Sequence, residues 1–236
     1  MKISKLLIIL LLASANPALA QWQIGIGLSS SAPVDRFAGH NYPWGYSIDL
    51  VTLSPNVLQK SDNWGLQFGL NLSGGDAGRK SFDTNRALEQ GTTEFYNCIV
   101  SHQATTRFGY QIAKKHQLYL EGIIGHTKFH SGRMSVSGDD NIMDDGHKDH
   151  LILFKDRTFR YGGAIGTTWK LKPNTRLELR VDYTRGTAAQ YINMNSITKT
   201  EDGYHFRRGY SEYTDQLNIH LNIVWTLRRP STWITH

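Results

Sequence analysis

From Gln21 onward, apolar and polar residues alternate with a period of two, the spacing of strands whose two faces meet different surroundings. Trp22, Ile24, Ile26 and Leu28 stand against Gln23, Gly25, Gly27 and Ser29, and the same phase recurs through Trp44, Tyr46, Ile48 and Leu50, then Trp64, Leu66, Phe68, Leu70 and Leu72. A fourth, less regular stretch runs from Tyr96, Cys98 and Val100 to Phe108, Tyr110 and Ile112. Leu118, Leu120 and Ile124 make a fifth, and Phe159, Tyr161, Ile165, Trp169 and Leu171 a sixth. In the seventh, Leu177, Leu179, Val181 and Tyr183 oppose Arg176, Glu178, Arg180 and Asp182; the eighth carries Leu217, Ile219, Leu221, Ile223, Trp225 and Leu227. Strands of roughly nine to fifteen residues are long enough to cross a bilayer when tilted.

The connections sort by length. Ser54 to Asn63, Ala113 to His116 and Lys172 to Asn174 are short, whereas Ser31 to Pro43, Gly74 to Thr92, Ser131 to Asp156 and Gly186 to Ser211 are long. Short turns on one side and long loops on the other are what an even-stranded, up-and-down membrane barrel requires. The pattern therefore predicts an all-β fold: an eight-stranded antiparallel transmembrane β-barrel with three periplasmic turns and four outer loops.

Periodicity alone does not say which face is outside, since a soluble eight-stranded barrel would turn its apolar face inward. The polar face here holds many glycines and charges of both signs, which suits a narrow filled interior. Aromatic residues gather near strand ends, at Trp22, Trp44, Trp64, Tyr110, Phe159, Trp169, Tyr183 and Trp225, as interfacial girdles require. These features favour lipid outside.

Composition adjusts this picture at the edges. Hydrophobic residues are 39% of the chain, which reads as soluble until one allows that a barrel is apolar only at every second strand position. Lys2 and Lys5, the apolar run Leu6 to Leu12 and Ala18-Leu19-Ala20 form a secretory signal over residues 1–20, leaving the barrel at 21–228 and a tail at 229–236. No later apolar run is long enough for a membrane helix. The single cysteine, Cys98, excludes a disulfide framework. The net charge of +6 is scattered, without a nucleic-acid motif, so anionic lipid and glycan are the expected partners rather than nucleic acid.

The run from Tyr161-Gly162-Gly163-Ala164-Ile165-Gly166 to Trp169-Lys170-Leu171, followed by the turn and Leu177-Glu178-Leu179-Arg180, is similar to the hairpins of the OmpA/OmpX-like family of small outer-membrane barrels. The resemblance covers nearly the whole mature chain through pattern rather than an invariant motif. It implies export to a Gram-negative outer membrane. Members often end on a terminal aromatic residue, whereas here Arg228 to His236 run past Trp225 and Leu227.

Three groups of residues carry candidate chemistry. Arg107, Glu121, Arg160, Arg176, Glu178, Arg180 and Asp182 are expected to form a ladder of lumen ion pairs, the tolerable way to bury charge. Asp139, Asp140, Asp144, Asp145 and His147 concentrate hard-cation ligands, although their spacing departs from the calcium-loop pattern. A lipid A deacylase or acyltransferase would draw on His126, His130 and Ser131, yet His130 and Ser131 are neighbours and point to opposite faces of a strand. The leading expectation is a structural or surface-interaction barrel with no open pore and no cofactor, its outer loops touching lipopolysaccharide, surface glycan or an envelope protein. An accessory subunit of an envelope complex is the alternative.

Overall fold

The computed structural model describes residues 22–34, 44–61, 63–86, 89–138, 148–201 and 203–227. Eight strands form the wall: β1 (Gln23–Pro33), β2 (Gly45–Leu53), β3 (Trp64–Arg86), β4 (Glu89–Ala113), β5 (His116–Gly138), β6 (Lys148–Lys172), β7 (Thr175–Gly186) and β8 (Gln216–Thr226). Each pairs antiparallel with its sequence neighbour, and β8 closes on β1 from Gln23↔Thr226 to Pro33↔Gln216. The ring has no free edge over this length, so the backbone donors and acceptors of the wall are paired strand to strand, the condition a bilayer imposes.

The two faces are inverted relative to a soluble barrel. Leu28 and Leu120 point outward at 68% and 61% exposure, whereas Asp49 and Glu178 point inward at 0%. Between Trp169 and Phe159 the outward face of β6 holds no charge. At roughly 3.3 Å per residue and a tilt of about 40°, that stretch climbs about 25 Å, the height of the apolar band of a membrane barrel. Aromatic residues mark both limits. Near the short turns, Trp64 packs on Phe108 and Tyr110 with ring centroids 4.7 and 4.4 Å apart, and His116 stacks on Trp169 at 5.3 Å. At the other limit stand Phe159, Tyr161 and Tyr183, the last donating its hydroxyl to Asp215 at 2.8 Å.

Strand length departs from expectation. Most of the Gly74–Thr92 and Ser131–Asp156 connections, read from the sequence as loops, are strand: β3 and β4 pair as far as Arg86↔Glu89, and β5 and β6 as far as Val136↔Lys148. The lipid-face pattern ends there because the wall leaves the bilayer. Beyond a bulge between Asp76 and Arg79, it is the inward residue Phe82 that is apolar, packing edge-on against Phe95, its diagonal neighbour on β4.

Candidate functional site

The lumen at membrane level is filled by a continuous hydrogen-bonded chain of charges. Arg107 Nε donates to Glu121 Oε2 at 2.8 Å and Nη1 to Glu178 Oε2 at 2.5 Å, while its guanidinium lies 3.8 Å from the Tyr119 ring centroid. Gly166 makes room for that ring, since a Cβ there would run into it. Arg180 links Glu121 at 3.2 Å to Asp182 at 3.0 Å. Asn222 and Asn218 donate to the remaining oxygens of Glu178 and Asp182.

The chain then extends through two residues that sequence reasoning did not single out. His220 Nε2 is 2.6 Å from Asp182 Oδ2, and its Nδ1 is 2.5 Å from Asp49 Oδ2, with Ser29 donating to Asp49 Oδ1. The same Nε2 lies 3.0 Å from Arg180 Nη2, so the ring joins Arg180 and both carboxylates in one cluster. Arg160 sits higher, donating to Thr184 at 3.0 Å and Gln216 at 2.6 Å. Arg176 stands apart at the short-turn mouth, 3.5 Å from Gln117 Oε1.

Above the ladder the lumen is stoppered. The last long connection folds back inside the tall wall: Ala189–Ile192 pairs with Arg208–Ser211, a 3₁₀ turn spans Met194–Ser196, and Thr198–Thr200 pairs with Gly203–His205. Ile192, Met194 and Ile197 bury against Phe95, flanked by Phe82, Leu153, Phe154, Tyr204 and Phe206. Tyr191 and Ala189 bury against Ala77 and Phe129, and burial pushes the Tyr191 phenol up to about 12. Polar contacts fix the register. Asn97 Nδ2 donates to the Ile192 carbonyl at 2.9 Å, Ile192 N–H donates to Ser131 Oγ at 3.2 Å, and Ser131 donates to Asn97. Between plug and ladder, a cavity of about 20 Å³ lined in part by Ser47, Ser101, Gln103 and His220 has room for about one water molecule.

The chain covers 99% of Ail, the attachment invasion locus protein of Yersinia pestis solved with the heparin analogue sucrose octasulfate, over 89% of its own length at 12% identity and a TM-score of 0.40. It covers 97% of Neisserial surface protein A, over 88% of its own length, at 8% identity and 0.44, and 99% of a major outer membrane protein from Thermus thermophilus, over 87% of its own length, at 9% and 0.46. In fold this chain is similar to small outer-membrane β-barrels. No protein-family model matches the chain, and no curated protein does.

Plug and ladder lie in series along the lumen. Deleting 189–211 and bridging the ends removes only the plug, so the shortened protein is expected to give no stable conductance step in a planar bilayer. A step that vanishes when Arg107 and Arg180 are kept and the plug is restored would show that the plug is the sole barrier.

The structure separates the residues considered for lipid A chemistry. Ser131 is buried on the lumen face, committed to Asn97 and the plug, while His130 is on the outward face opposite Lys155. His126 also faces outward and stacks on His102 with centroids 4.9 Å apart. Cys98 pairs with His130 in register, and burial, helped by Asp76, holds its thiol above the ordinary range, so it stays protonated. The acidic segment carrying Asp139, Asp140, Asp144, Asp145 and His147 lies outside the described residues, as do residues 1–20 and the tail.

What the outward face does assemble is a basic belt just above Phe159. In register, Lys128 opposes Arg157 and His130 opposes Lys155, with His126 one pleat below Lys128. The outward face of β5 and β6 carries no carboxylate from His116 to His130 or from Lys155 to Leu171. Burial, then Lys155 and Lys128, hold the His130 imidazole below its ordinary value, and its Nε2 is closed off without a hydrogen-bond partner among the described residues. Spacing in the sequence shows these residues, but only the β5–β6 register shows them to be neighbours.

Proposed function

We propose that this is an outer-membrane barrel, exported by a signal over residues 1–20, whose belt at Lys128, Arg157, Lys155, His126 and His130 seats on phosphate groups of lipopolysaccharide or a comparable anionic surface glycan. Its role is structural and surface-interactive rather than transport. The observation that carries this is the pair of directly opposed like charges, Lys128↔Arg157 and His130↔Lys155, at the upper limit of the apolar band. Like charges facing across strands are destabilising on their own. A phosphate between them converts repulsion into charge-assisted hydrogen bonds, for which the Arg157 guanidinium is suited.

The test is co-purification of lipopolysaccharide with the barrel in non-ionic detergent. Lys128→Gln combined with Arg157→Gln is expected to lower bound lipopolysaccharide about tenfold, the loss of one or two charged hydrogen bonds; equal retention would sink the reading. The histidine adds a pH signature. With its folded value held below the free value of about 6.5, His130 is neutral at pH 7 and gains a proton only as pH falls through that range. Anion retention therefore rises on acidification. Without the anion, stability falls over the same window, because the unfolded chain binds the proton more readily. His130→Gln flattens both trends.

A further inference from the structure

The short-turn mouth of the lumen holds a second concentration of positive charge, remote from the belt and outside the ladder. A cavity of about 280 Å³ is lined by Gln111, Lys114, Lys115, Gln117, Thr168, Lys170 and Arg176. Four of these are cations and none is an acid. Lys170 and Arg176 face each other directly across β6 and β7. Their side chains share the lumen side of the wall, so the pair is the like-charge arrangement that costs stability when nothing lies between.

The obvious internal remedy is already taken. Glu178, the next inward residue above Arg176 on β7, is bound on one oxygen by Arg107 and on the other by Asn222. Among the described residues the side-chain hydrogen bond of Arg176 is a long one, to the Gln117 amide oxygen at 3.5 Å. Gln111 commits its amide N–H groups to the backbone carbonyls of Ala113 and His116. Val224, the register partner of Arg176 on β8, is apolar, and the buried inward residues near the same end of β1, β2 and β3, Gln23, Val51, Leu53 and Gln67, carry no charge.

We propose that this mouth binds a phosphate-bearing anion. A tetrahedral, multiply charged group fits a site built from one planar guanidinium, three mobile ammonium groups and a neutral hydroxyl at Thr168. A single carboxylate would leave most of that charge unopposed. If the outer-membrane orientation above is right, the mouth opens on the periplasm; binding itself does not rest on that reading. Two sources share the chemistry: a dissolved phosphate ester and the headgroup of an inner-leaflet phospholipid.

Inorganic pyrophosphate, titrated calorimetrically into the full-length protein in maltoside micelles, is the probe. Binding is expected, weakening steeply with added salt as counterions compete. Lys170→Gln with Arg176→Gln lowers the affinity about tenfold or more, and pyrophosphate binding persists in the Lys128→Gln/Arg157→Gln belt variant. The anion-free melting temperature of Arg176→Gln is expected to hold or rise, since a repulsion is removed, while the rise caused by pyrophosphate disappears. A lowered anion-free melting temperature would mark Arg176 as a structural residue and overturn the proposal. No heat of binding, or unchanged binding in the Lys170/Arg176 variant, would do the same. Phosphatidylglycerol doped into the micelles then identifies the source: competition supports a lipid headgroup, and its absence supports a soluble ester.

Discussion

Arg107→Met is expected to destabilise the barrel by about 3–5 kcal/mol, the usual cost of removing one partner from a buried ion pair. Arg107 is 3% exposed and, among the described residues, is the only cation that touches both Glu121 and Glu178. Without it, Glu178 keeps only the Asn222 amide, and Glu121 keeps Arg180 at 3.2 Å. Methionine fills much of the volume over the Tyr119 ring, so the loss reports charge rather than a cavity. Urea unfolding in micelles, followed by the heat-modifiable gel shift of a folded barrel, measures it. Adding Glu178→Leu to Arg107→Met is expected to restore most of the stability, because the stranded carboxylate goes with its partner and the pair is replaced by apolar groups. A positive coupling in that double-mutant cycle is the signature of the pair. An Arg107→Met loss below about 1 kcal/mol, the range of a solvent-exposed ion pair, would mean that water reaches the ladder and screens it.

The ladder also shows how far a sequence can be read. Parity along a strand assigns a residue to a face, so Arg107, Glu121, Glu178, Arg180 and Asp182 could be placed in the lumen before any pairing was known. The same parity puts Asp49 beside Ser47 and His220 between Asn218 and Asn222, a signal that was available for both. Their mutual contact was not, because 171 residues separate them and it depends on closure of β8 through β1 to β2. Parity also groups Arg176 with Glu178 and Arg180, whereas the structure places it at the mouth with Lys170. Face is a local property of two-residue spacing; height in the barrel depends on stagger between strands, which no local pattern carries.

The plug was less legible for a different physical reason. Tyr191, Ile192, Met194 and Ile197 lie in a stretch without either helical or strand period, because the segment is held by the wall around it rather than by a sheet of its own. The wall did carry a trace: Phe95 and Phe129 share the parity of lumen residues, large apolar side chains on a face whose middle is mostly polar and charged. Apolar residues on the inner face of a membrane barrel need something apolar to cover them.

That requirement leads to the second large effect. Phe95→Ala is expected to loosen the plug by about 3–5 kcal/mol, the cost of truncating a buried aromatic residue. Phe95 is 1% exposed and touches the plug through Tyr204 at 5.3 Å and Phe206 at 5.9 Å, besides packing on Ile192, Met194 and Ile197. The effect should be local. The barrel wall around Phe95 is held by backbone pairing to β3 and β5, and the charge ladder lies below it, so global unfolding by urea is expected to change little. Hydrogen exchange is the discriminating measurement, since sub-global opening exposes amides that global unfolding would otherwise protect. The amide of Ile192, bound to Ser131 Oγ, and that of Asn193, bound to the Arg207 carbonyl, are expected to exchange several hundred-fold faster at about 3.5 kcal/mol of destabilisation. Asn97→Leu, which removes the amide that holds the Ile192 carbonyl, should speed the same two amides through polar rather than apolar loss. If neither variant changes their exchange while Tyr119 and its neighbours stay protected, the plug is docked by the chain's own loop geometry and the apolar inner rim is not what holds it.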